Sequence, residues 1–207
     1  MGRVRVHQHV NPLAPYFRFI PEPIVLSDIF ADETKPIFLD IGAARGRFIL
    51  KMAESDASRN YLGLEIRQPL VDEANRLAND KGLENLQYIF CNAMMSIGRL
   101  LGNVPQGLVQ TVTIQFPDPW FKKKHAKRRM VTQELARDVV GILAKGGMLF
   151  IQTDVDFLAE EMFSLFREFH ELEEISTKEN PMPFKTEREE AVEQRGLPVY
   201  RTRFIRN

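Results

Sequence analysis

Cysteine is almost missing from this chain. Cys91 stands alone, which excludes an intrachain disulfide framework and fits a reducing compartment, so the expected location is the cytoplasm. Long apolar runs are missing too. Nothing approaches the roughly 20 residues a membrane-spanning helix needs, and the opening MGRVRVHQHVNPLAPYF lacks the continuous apolar stretch of a secretory signal. The H-x-H of His7 and His9 has no further Cys or His cluster beside it, so no metal site is expected. No repeat and no low-complexity linker interrupts the 207 residues, a length suited to one sizeable core. The expected organisation is one domain over 1–207, with a basic arm over 1–23 and a core over 24–207.

Net charge is the next absence, since 28 Lys and Arg balance 28 Asp and Glu. The charge is nevertheless uneven. Residues 1–20 hold three arginines and no acid, and Lys122 to Arg129 has six cations in eight positions. The segment 154–193 is acidic, with ELEE and EREE runs. Such asymmetry suits an anionic partner at one face, although two solvated surfaces would look the same in composition.

Short apolar runs alternate with helical patterns. PIFLDIG (36–42), NYLGLEI (60–66), LQYIFCN (86–92), LVQTVTIQF (108–116) and MLFIQTD (148–154) read as strands. GRFILKMAES, QPLVDEANRLANDKG and DFLAEEMFSLFREF read as helices. So does the stripe Val131, Leu135, Val139, Ile142 and Leu143, closed by Gly146-Gly147. PVYRTRFIR (198–206) alternates in period two and reads as a last strand, antiparallel at the end of the sheet. The pattern predicts an α/β fold with a mostly parallel, doubly wound sheet.

In such sheets ligands bind outside the carboxyl ends of the strands. Asp40, Glu65, Asn92, Asp118 and Asp154 close or follow the five successive strands. Asp and Asn also suit turns and helix caps, yet five on one edge exceed what capping needs. The first turn, DIGAARGRF, sets Gly42 and Gly46 between strand and helix, with Ala44 where a G-x-G-x-G pattern has its middle glycine. Glu65 follows about 20 residues on, where an acid can hold ribose hydroxyls. A dinucleotide and S-adenosylmethionine share this geometry. A carboxylate-rich edge suits a sulfonium with an amino-acid tail better than a pyrophosphate. S-adenosylmethionine is therefore the favoured cofactor. Asp40 and Gly42 fall beside its methionine part, Glu65 on the ribose, and Asn92 with Ala93 about the adenine. Cys91 reads as a buried strand residue.

Taken in order, DIGAARGRF, LGLEIR, CNAM, FPDPWFKKKHAKRR, QTD and TEREEAVEQRGLPVYR resemble the bacterial single-subunit type of tRNA (guanine-N7)-methyltransferase. The resemblance covers most of 36–207, and its most specific part is the FPDPW-basic block. It implies a Rossmann-like S-adenosylmethionine-dependent methyltransferase fold, a tRNA substrate methylated at position 46 of the variable loop, and no obligate protein partner. It also implies cofactor contacts at Asp40, Glu65, Arg67, Asn92 and Asp118, with Asp118 catalytic. Lys122, Asp154, Thr186, Glu187, Arg188 and Glu189 fall on substrate positions. Ala44 departs from the family's glycine turn.

The chemistry suits these residues. Guanine N7 carries no proton and offers an in-plane lone pair, so the reaction needs alignment and electrostatic support rather than a general base. Asp118 can accept a hydrogen bond from the base edge and offset its developing positive charge, on a loop stiffened by Pro117 and Pro119. Trp120 or Phe121 can stack on an unpaired base; packing as a loop anchor is the other reading of Trp120. Lys123, Lys124, Lys127, Arg128 and Arg129 would hold phosphates, since cations at a helix start otherwise meet an unfavourable dipole. Two rivals remain at this point: a non-catalytic RNA-binding module that retains a methyltransferase-like fold, and a nicotinamide-dependent enzyme.

Overall fold

Five consecutive side chains, Ile37 to Ile41, are buried, as they must be in a strand covered on both faces. In the computed structural model, which describes residues 10–207, this strand lies in the interior of a seven-stranded sheet. The elements are β1 (Ile37–Ile41), α1 (Arg47–Ser55), β2 (Asn60–Glu65), α2 (Gln68–Asp80), β3 (Leu86–Phe90), α3 (Ala93–Leu100) and β4 (Val109–Gln115). After them come α4 (Gln133–Ile142), β5 (Leu143–Thr153), α5 (Asp156–Arg167), β6 (Leu172–Ser176), α6 (Glu187–Gln194) and β7 (Tyr200–Arg206). The sheet order is 3-2-1-4-5-7-6. β1 to β5 are parallel, and β7 runs antiparallel between β5 and β6. Strand order reverses between β1 and β4, so a crevice opens at their carboxyl ends.

Both faces of the sheet are covered. Ile97, Leu135, Val139, Met162 and Phe166, from α3, α4 and α5, bury one face with Ile41, Leu64 and Val112. Ile49, Met52, Val71 and Ala74, from α1 and α2, bury the other with Phe38, Tyr61 and Tyr88. Among the described residues no helix is long and apolar enough to cross a membrane, and no group of His, Cys, Asp or Glu is placed to hold a metal ion. The expected basic arm is described only from Val10 onward; His7 and His9 lie outside the described residues.

Three features differ from the sequence reading. The helix carrying Leu135 and Val139 ends at Ile142, and Leu143 already belongs to β5. Gly146 and Gly147 lie inside that strand, where the register jumps: Val109 faces Leu143, but Thr111 faces Met148. A Cβ on Gly147 would stand 2.8 Å from the Ala144 carbonyl oxygen, so the irregularity requires glycine. β6 was hidden by its own charges, Glu173 and Glu174, which are tolerated on an edge strand. The short α3 was not anticipated either.

Candidate active site

The crevice is a cleft of about 2030 Å³ lined by Asp40, Glu65, Asn92, Asp118 and Asp154, the five polar residues of the strand ends. Gly42, Arg67 and Ala93 line it as well, and Thr186, Glu187 and Arg188 come from the N-terminal end of α6.

Asp40 is buried, 5% exposed. Its Oδ1 accepts from Thr113 Oγ1 at 2.6 Å. Burial nevertheless pushes its carboxyl up to about 6, against the pull of Thr113 and Gln115 and with a small push from Glu65. The turn after Asp40 takes left-handed φ at Gly42 (87°), Ala44 (51°) and Gly46 (71°). Ala44 thus follows a glycine-like path despite its Cβ. Gly46 is fixed by packing as well: a Cβ there would meet the Tyr88 ring at 2.3 Å, and Tyr88 donates its hydroxyl to the Gly46 carbonyl.

Glu65 is also buried, at 4%. Oε2 accepts from Ala44 N–H at 2.8 Å and from Arg67 Nη2 at 3.2 Å; Oε1 accepts from Arg67 N and Nε. Cofactor positions predicted separately for Glu65 and Arg67 are therefore one ion pair. Asn92 was expected beside the adenine. It lines the cleft, and its amide nitrogen donates to the carbonyls of Pro12 (2.9 Å) and Phe17 (3.1 Å), tying residues 10–20 over the end of β3. Phe19 stacks on Phe90 there. Cys91 is buried, with its thiol pushed up to about 11 mainly by burial, which leaves it without a thiolate at neutral pH.

Asp118 is exposed on a loop whose ends are strained: Phe116 and Trp120 both have positive φ, 51° and 44°. Arg129 holds this loop. It donates Nε to the Pro119 carbonyl at 3.0 Å, pairs with Glu161, and lies over the Phe157 ring. With 12% of its side chain exposed, it is not presented to a phosphate. Arg129 therefore serves the loop, contrary to the expectation of a phosphate contact; Arg128 lies 4.9 Å from the Trp120 centroid and lines the cleft. Trp120 is half-buried under Arg128 and edge-on to His125, while Phe121 is 69% exposed on the cleft wall. Lys122, Lys123, Lys124 and Lys127 are exposed along a 3-10 turn, Lys123–Arg128, and none of them lines the cleft.

At the far rim, Arg188 pairs with Asp154 and Arg47 with Glu187. Thr186 caps α6, accepting from Glu189 N–H at 3.1 Å. Glu189 is 0% exposed and is not among the cleft-lining residues; its oxygens accept from Arg201, Gln152 and Asn180. A direct substrate contact, expected from sequence, does not fit that burial. Sequence reading also passed over Gln115, Gln152 and Arg201. Gln152 and Arg201 stand inside the QTD and TEREEAVEQRGLPVYR stretches, and Gln115 directly before FPDPW, but nothing in those stretches singled them out.

A family model described as "Putative methyltransferase" matches residues 34–202. A tRNA (guanine-N(7)-)-methyltransferase of Trichormus variabilis is 48% identical over 207 residues, covering 98% of this chain and 96% of that protein. The protein of the same name from Synechococcus elongatus is 48% identical over 209 residues, covering 100% and 98%. Among solved structures, an rRNA methylase from Streptococcus thermophilus superposes with a TM-score of 0.55 at 12% identity, over 87% of this chain and 91% of that one. At that identity the likeness speaks for the Rossmann-like methyltransferase fold alone.

Proposed function

The chain belongs to the tRNA (guanine-N(7)-)-methyltransferase family, and from that premise we propose that it methylates N7 of a guanine in tRNA, at position 46 of the variable loop, acting in the cytoplasm as one catalytic unit. S-adenosylmethionine would supply the reaction with an electrophilic methyl group on a sulfonium. One observation carries the reading: a deeply buried carboxylate, Asp40, and an exposed one on a strained loop, Asp118, face the same cleft. A buried anion with few partners suits a cationic amino-acid ligand.

Asp40 would hold the ammonium of the cofactor's amino-acid end. Glu65 would meet the ribose hydroxyls by sharing them with Arg67 or displacing its guanidinium. Asp118 would orient the base edge so that the N7 lone pair faces the methyl donor. Its carboxylate would offset the positive charge that N7 methylation places on the guanine. Phe121, exposed on the cleft wall, offers a stacking face. Lys122, Lys123, Lys124 and Lys127 would position the RNA backbone, and Thr186, Glu187, Arg188 and Asp154 would border the substrate on the opposite rim. The non-catalytic alternative drew its support from Ala44. The glycine-like φ of that residue removes the support.

The test is incubation with tRNA and a labelled methyl donor, followed by nuclease digestion and mass spectrometry. The expected product is 7-methylguanosine; label confined to another base would overturn the assignment. Asp118→Asn should lower turnover by about 10²–10³ while RNA binding persists. Unchanged turnover at saturation would remove Asp118 from the mechanism.

A further inference from the structure

Five polar side chains lie in a row on one face of the sheet. Asp40 is the register partner of Thr113, Gln115 of Gln152, and Gln152 of Arg201. Thr113 and Gln115 are two apart on β4, so all five project to the same side. Gln152 is fully buried, and Arg201 has 8% of its side chain exposed. Such a row must be hydrogen-bonded throughout or it destabilises the core.

The bonds run in one direction, set by arginine, which can only donate. Arg201 Nε donates to Gln152 Oε1 at 2.9 Å, and Nη2 to Glu189 Oε1 at 2.8 Å and Glu193 Oε1 at 2.7 Å. The Gln152 oxygen is thereby committed, and its Nε2 donates to Gln115 Oε1 at 2.7 Å and Glu189 Oε2 at 2.9 Å. That in turn commits the Gln115 oxygen and leaves its Nε2 at the cleft end of the row. The orientation of both amides thus follows from the Arg201 guanidinium on β7 and not from a choice between similar atoms. Gln115 Nε2 is buried and makes no hydrogen bond of acceptable distance and angle. It lies close enough to Asp40 to act on that carboxylate as a weak donor and favour its ionised form, short of the geometry of a full hydrogen bond. Gln115 lines the cleft.

A buried acceptor and a buried, oriented donor side by side are the complement of an α-amino acid, which carries an ammonium and a carboxylate on one carbon. We propose that Gln115 is a further binding residue for the cofactor's amino-acid carboxylate, held in place by Gln152, Glu189 and Arg201 as positioning residues. The proposal rests on the S-adenosylmethionine reading above and assigns one end of that ligand. It also gives buried Glu189 a role: through Gln152 it joins α6, whose first turn borders the cleft, to the donor that grips the cofactor.

Calorimetry with S-adenosylhomocysteine, its decarboxylated analogue and 5′-methylthioadenosine separates the possibilities. Gln115→Leu should weaken S-adenosylhomocysteine about tenfold or more, the scale of one hydrogen bond to a charged group. Binding of the decarboxylated analogue and of methylthioadenosine should change by less than about twofold. Gln152→Leu should reproduce that signature without touching the ligand. If the leucine variants fold poorly by thermal melting, Gln115→Glu keeps the oxygen for Gln152 and sets an anion against the ligand carboxylate, with the same selective loss expected. Equal loss for S-adenosylhomocysteine and its decarboxylated analogue would mean that Gln115 only supports Asp40, and would overturn the proposal, as would no loss at all. A wild-type protein that binds none of the three would overturn the cofactor reading as well.

Discussion

At Asp40 binding and stability pull in opposite directions. Its carboxyl is raised from 3.8 to about 6 chiefly by burial. The folded chain therefore holds the proton more tightly than the unfolded chain does. Any stability from this group is fully present below about 4 and is lost as pH rises through about 6. Asp40→Asn should stabilise the protein without cofactor at pH 8 by on the order of 1–3 kcal/mol and have little effect at pH 3.5. The same variant should lose most affinity for S-adenosylhomocysteine, and wild-type affinity should itself decline below pH 6 as the carboxylate takes up its proton. Urea melts at the two pH values, with calorimetry alongside, check this; an Asn variant less stable at both would refute the account. The sequence revealed which residues end the strands, because their polarity breaks an apolar run. What each one bonds to stayed hidden. Asn92 bonds two carbonyls of residues 12 and 17, and Glu65 is gripped by Arg67; neither partner leaves a periodic trace.

Among the elements, the Phe116–Trp120 loop shows how sequence signals divide. Its prolines announce stiffness, but the left-handed φ of Phe116 and Trp120 does not follow from their identity. Such residues cost about 1–2 kcal/mol each and persist only where surrounding contacts over-determine them. Arg129 is the main clamp, through the Pro119 carbonyl, Glu161 and Phe157. Arg129→Ala should therefore lower kcat by about tenfold or more through misplacement of Asp118, and stability by about 1–3 kcal/mol. Its KM for tRNA and the salt dependence of binding should stay near wild type. A variant with normal kcat and a flatter salt dependence would restore Arg129 to the phosphate contacts. The alternation of strand and helix was legible because burial on both faces forces it. The early end of α4 was not, because a buried Leu143 satisfies a helix stripe and a strand equally well.

For the molecule as a whole, zero net charge conceals a division of labour. Much of the acid is already spent internally: Glu174 and Glu160 on Arg167, Glu193 on Lys185 and Arg201, Glu161 on Arg129. Lys123, Lys124 and Lys127, by contrast, are exposed on one 3-10 turn beside the loop that carries Asp118. If these lysines neutralise phosphates, tRNA binding must weaken steeply with salt, because each contact releases condensed counterions. Irregular or single-stranded RNA gives a slope of roughly 0.7 log units per contact. Replacing Lys123 and Lys127 with alanine should flatten the slope by about one to two contacts' worth and weaken binding most at low salt. Affinity for S-adenosylhomocysteine should not change, because Asp40, Gln115 and Glu65 lie on the strand ends and share no hydrogen bond with these lysines. A salt titration of tRNA binding on wild type and the double variant reads the difference directly. Equal slopes would mean that the exposed lysines only solvate the surface, and that the RNA backbone is held by another part of the chain.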